Sequence, residues 1–103
     1  MKITETRENG KITLSANGWL DTASSPMLGE AIDKIEAADA IVLDFTDVEY
    51  MASAGLRQVV AAHKKAAAIG ASFEVIGVGA EVMSIFKITG IDKKLTIRAK
   101  EQA

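Results

Sequence analysis

Ser53 stands in the run Met51-Ala52-Ser53-Ala54-Gly55-Leu56-Arg57, behind the apolar stretch Val42-Leu43-Asp44-Phe45. Leu56, Val59, Val60 and His63 follow at helical spacing, so a strand leads through a short loop into a helix that opens at a serine. Two chemistries suit such a hydroxyl. It can cap the helix by accepting hydrogen bonds from the unpaired N–H groups of the first turn. It can also carry a phosphate, because those N–H groups and the helix dipole favour negative charge.

Few other side chains offer comparable chemistry. Asp21 and Asp44 can hold backbone N–H groups at a turn and a strand end. Asp47 and Glu49 read as loop charges that add negative potential, and Ser24 is a weaker second phosphate acceptor. Arg57 lies in the first helical turn, where a cation opposes the dipole, and so suits contact with a partner or a phosphate. Met51, beside the corner, reads as a contact residue, whereas Phe86 reads as core. His63 is the lone histidine and has no carboxylate or serine in a catalytic pattern, so it reads as a partly buried helix residue. Gly77-Val78-Gly79 lacks the third glycine of a dinucleotide fingerprint. With no base–nucleophile pair and no cysteine, the expectation is a binding protein rather than an enzyme, without cofactor or metal.

The elements that would position this corner follow from pattern and punctuation. Ile3 to Thr6 and Lys11 to Ala16 flank Glu8-Asn9-Gly10, a strong hairpin signal. Gly18-Trp19-Leu20-Asp21 breaks the alternation, and Ser25-Pro26 reads as cap and first residue of a helix that fades by Ala38. Ala40 to Leu43 is continuously apolar, as in a strand covered on both faces. The serine-led helix stops at Gly70; Ser72 to Val78 is a strand, Glu81 to Ile88 a helix stopped by Gly90, and Leu95 to Ile97 a last strand. Strands alternating with helices imply an α/β fold: a single small domain over residues 1–103, with a mixed, mostly parallel sheet of four to five strands, an N-terminal hairpin and three main helices.

Composition narrows the partners. The net charge of −2 argues against nucleic acid or an anionic membrane as the main ligand. No apolar run approaches the length of a membrane span, and the first residues lack a secretory pattern, so a cytoplasmic domain is expected.

Ile41 to Arg57, with an acidic strand end and a small-residue serine corner opening a helix, resembles the STAS domain, and its anti-sigma factor antagonist branch in particular. Gly18-Trp19-Leu20-Asp21 and Phe86-Lys87-Ile88-Thr89-Gly90-Ile91 extend the likeness to nearly the whole chain. The resemblance implies a bacterial, phosphorylation-switched regulator with Ser53 as the phosphosite. Asp21, Met51, Ala52, Ser53, Ala54, Gly55 and Arg57 would then meet the partner, and Asp21 and Asp44, matching acidic positions near the serine, would orient its hydroxyl or help hold the kinase's metal ion. That partner would be an anti-sigma factor of the serine kinase type, bound by the unmodified protein so that a sigma factor is freed, with a phosphatase resetting the switch. The free protein would be a monomer. Ala52 departs from the family pattern, which often has Asp or Thr there, and the family's closing helix is expected to be short or absent around Ala99 to Gln102. A STAS subunit docking onto the ATPase of a membrane transport complex is the alternative implication.

Overall fold

In the computed structural model, which describes residues 1–100, five strands form one sheet in the order β1-β2-β3-β4-β5. The strands are β1 (Lys2–Glu8), β2 (Lys11–Leu20), β3 (Ala40–Met51), β4 (Ser72–Val78) and β5 (Thr96–Ala99). Three helices connect them: α1 (Ser25–Asp33), α2 (Ser53–Ile69) and α3 (Ala80–Thr89), the last followed by a 3-10 turn at Ile91–Lys93. The β1–β2 pair is antiparallel and the other three are parallel, which is the mixed, mostly parallel sheet expected. Ala99 ends β5, and residues 101–103, on which the expectation about the closing helix also bears, lie outside the described residues.

The hairpin turn is set by Asn9 and Gly10, both with positive φ (51° and 81°), a two-residue turn whose twist matches that of the strands. Its outcome is the Glu8–Lys11 pairing that fixes the register of β1 on β2. Gly70 and Gly90 end α2 and α3 in the left-handed conformation, as the sequence indicates.

The buried residues of all three helices join one cluster with alternate residues of the strands: Leu28 and Ile32 of α1, Val59 and Ala62 of α2, and Val82 and Phe86 of α3 meet Leu14, Leu43, Phe45 and Val75. The helices therefore share one face of the sheet. Val42 is buried outside that cluster, with Thr13 and Glu74 as its neighbours across the sheet, so it is covered by adjacent side chains and not by a helix. The expectation of a strand covered by elements on both faces fails at this point.

Two strands run further than their patterns suggest. β2 continues through Gly18 to Leu20, and β3 continues past Phe45 to Met51, replacing the expected loop, so that Asp47 and Glu49 are exposed strand residues. Register shifts at Ser15–Asn17 and Gly18–Trp19 carry the pairing forward. Bulges of this kind insert a residue and break the two-residue alternation that marks a strand. Helix α1 ends at Asp33, earlier than its apolar spacing suggests, while Ile35 still packs in the core.

Candidate functional site

The corner is built where β2 and β3 end side by side. Leu20 pairs with Met51 in parallel register, and the N–H of Ala52 donates to the Leu20 carbonyl at 2.9 Å. The chain then enters α2. Ala52, in extended conformation (φ −93°, ψ 175°), is the N-cap, and its carbonyl accepts the N–H groups of Gly55 and Leu56 at 3.0 and 3.1 Å. Ser53 is the first helical residue and is exposed. The sequence reading of Ser53 as the cap is thus corrected by one position. With alanine at the cap, no side chain hydrogen-bonds to the first turn, and the hydroxyl of Ser53 is left free of that duty.

Two other expected contact residues are corrected. Met51 is 1 % exposed and belongs to the core cluster, because it sits on the inward side of β3. Gly55 is buried: a Cβ there would lie 2.7 Å from Leu20 Cγ and 2.8 Å from both the Leu20 carbonyl oxygen and Met51 Cγ. These two build the corner and present no surface. Ala52 and Ala54 are half-buried at its rim, and Arg57 is exposed, with no ion pair among the described residues. Arg57 edges an apolar groove of about 350 Å³ that runs along α2, lined also by Leu56, Val60, Ala61, Lys64 and Ile91.

Asp21 follows Leu20 and so lies next to the corner in the adjoining strand. Its Oδ1 accepts the N–H of Ser24 at 2.9 Å, while its own N–H donates to Ser24 Oγ at 3.0 Å. This reciprocal pair resembles a capping box. The bond from the Ser24 N–H, and then that from its hydroxyl, hold the Asp21 carboxyl below the usual carboxylate range. Ser24 caps α1, Ser25 is its first residue, and Pro26 its second, one place later than expected. Ser25 is buried and its hydroxyl donates to the Asp21 carbonyl. Ser24 is half-buried and committed to these bonds, which leaves it poorly placed to accept a phosphate.

Asp44 makes the bonds that its structural reading expects at a strand turn. Its Oδ1 accepts both the N–H (3.0 Å) and the hydroxyl (2.6 Å) of Thr46, turning the strand where it meets Gly77. Gly77 has φ +68° and lies against Thr46, whose backbone nitrogen would be 2.8 Å from a Cβ. His63 is half-buried with its ring edge against Phe73, centroids 5.8 Å apart.

Sequence reasoning missed Trp19 and Tyr50. They are paired across β2 and β3, 58 % and 44 % exposed, and lie one residue before the core residues Leu20 and Met51. No cluster of three or more potential metal ligands occurs among the described residues, and no described helix is long and apolar enough to cross a membrane.

The chain is similar to known proteins over most of its length. An anti-sigma-B factor antagonist of Listeria monocytogenes is 29 % identical over 97 residues, covering 92 % of this chain and 85 % of its own length. The anti-sigma-F factor antagonist RsfB of Mycobacterium tuberculosis is 33 % identical over 95 residues, covering 88 % of this chain and 75 % of its own. The crystal structure of an anti-sigma factor antagonist from Mycobacterium paratuberculosis superposes with a TM-score of 0.85 at 25 % identity, over 94 % of this chain and 84 % of that one. The STAS domain profile matches residues 2–103, and the chain belongs to the STAS domain family.

Proposed function

We propose that this protein is an anti-sigma factor antagonist of the bacterial cytoplasm, switched by phosphorylation of Ser53. In the unmodified form it binds an anti-sigma factor that is also a serine kinase, and so frees a sigma factor; a phosphatase restores that form. The observation that carries the reading is the exposed hydroxyl of Ser53 on the first residue of α2, in a chain whose curated relatives are anti-sigma factor antagonists. Those names also favour this reading over a transporter subunit.

The chemistry follows from the placement. Ser53 Oγ attacks the γ-phosphorus of ATP, its proton passes to a base on the kinase, and the bond to the bridging oxygen breaks to release ADP. The product gains about −1.5 to −2 charges. At the exposed start of α2 the helix dipole stabilises that charge by about 0.3–1 kcal/mol, so the fold is conserved. In the complex the same phosphate confronts the phosphates of the kinase's nucleotide, and like charges across a docked interface cost several kcal/mol. Binding is lost while structure is kept.

The test is incubation with the anti-sigma factor of the same organism and ATP, read by intact-protein mass spectrometry. One phosphate is expected on the wild type and none on Ser53→Ala. Phosphate on another residue, or undiminished affinity after modification, contradicts the proposal.

A further inference from the structure

We propose that Trp19, Tyr50 and Glu49 form an anchor that receives an arginine side chain of the partner protein. The inference rests on the function proposed above and adds a second point of contact to it. The two rings lie 5.5 Å apart at 52°, and the indole N–H donates to Glu49 Oε2 at 3.3 Å. That bond orients the indole and holds a carboxylate at its edge. Large aromatics this exposed leave apolar area in water, which a partner can cover. A guanidinium is the group that fits both features: its plane stacks on the indole while its N–H fork meets the carboxylate.

Charge supports a basic occupant. The exposed acidic residues on the strand beside the pair are Asp47 and Glu49. Strand β3 itself carries Asp44, Asp47 and Glu49 and no base. Of the cations toward this end, the Met1 amino group lies close to Gly18, the Lys100 Nζ donates to the Thr46 carbonyl, and Arg57 is exposed in the first turn of α2. Among the described residues none of these cations forms an ion pair with Glu49. Tyr50 precedes Ser53 by three residues, so anchor and phosphosite occupy one corner and one partner can engage both. The two contacts differ in sign: Ser53 faces nucleotide phosphates during transfer, whereas the anchor faces a cation.

Trp19 is the single tryptophan, so its emission reports this surface directly. The full-length protein is titrated with its anti-sigma factor, and separately with capped tri-arginine and tri-glutamate peptides, following Trp19 fluorescence. Affinity for the anti-sigma factor is measured by calorimetry for Trp19→Ala, Trp19→Phe and Glu49→Gln. Truncation of a central aromatic anchor lowers affinity about 30-fold; Trp19→Phe, which keeps a ring, recovers most of it. Glu49→Gln lowers affinity and flattens its salt dependence. Tri-arginine changes Trp19 emission saturably and tri-glutamate does not.

If Trp19→Ala binds as the wild type does while Ser53→Asp binds on the order of 10-fold more weakly, the anchor is wrong and the function stands. If no anti-sigma factor binds, yet tri-arginine saturates the wild type and loses affinity on Glu49→Gln, the anchor stands and the function falls. A concentration-dependent dimer abolished by Trp19→Ala overturns the anchor in favour of a second copy of this chain.

Discussion

The N–H of Ala52 donates to the carbonyl of Leu20 at 2.9 Å, tying the end of β2 to the start of α2 at the point where β3 stops. This bond fixes where the helix begins, and thereby where Ser53 emerges. Gly55 completes the joint, since only hydrogen fits between it and the Leu20 carbonyl.

Gly55→Ala is therefore expected to lower stability. Forcing a methyl into a packed joint costs about 1–3 kcal/mol, which exceeds the gain of at most about 1 kcal/mol from helix propensity. Thermal denaturation reads the difference as a lowered Tm, and an unchanged or raised Tm shows that the joint relaxes.

Because Ala52 occupies the cap, the stability effects at the two neighbouring positions should differ. Ser53→Ala is expected to stay within about 0.5 kcal/mol of the wild type. Ala52→Ser supplies the missing acceptor in the right backbone conformation and should stabilise by about 1 kcal/mol. Urea titration of both variants decides the matter; a large loss in Ser53→Ala means the hydroxyl does cap.

Ser53→Asp places a single negative charge where the phosphate would stand. Its Tm should match the wild type, while affinity for the anti-sigma factor falls on the order of 10-fold, less than for phosphoserine with its greater charge. Equal affinity in the two proteins speaks against charge as the means of release.

The pH dependence has a definite sign at Asp21. Its folded pKa is lowered by the Ser24 N–H and hydroxyl from the ordinary value of 3.8. The contribution is present in full above that ordinary value and is lost as pH falls through the depressed folded one. Asp21→Asn retains an acceptor for Ser24 without the titration, so its acid unfolding curve should be flatter below pH 3.8. Identical acid limbs mean that the pair contributes nothing.

The hairpin, the glycine stops and the strand–helix alternation were legible because each depends on local backbone chemistry: Asn9-Gly10, Gly70 and Gly90 act through φ alone. The ends of β2 and β3 were not. Their inward residues Phe45, Val48 and Met51 fall three apart, and bulges impose that spacing, so alternation fails where pairing persists. The same irregularity concealed the inward turn of Met51 and the outward turn of Trp19 and Tyr50. The cap moved to Ala52 because a hydrogen bond to another strand, invisible in the local sequence, decides where α2 starts.

Ser53 bears no structural duty at its corner, and this determines how a signal held there would persist. A covalent ester on such a side chain would be stored in a bond and not in an altered shape, so no refolding step would limit its writing or erasure. The lifetime of the message would be that of the phosphoester itself, set by the enzyme that hydrolyses it.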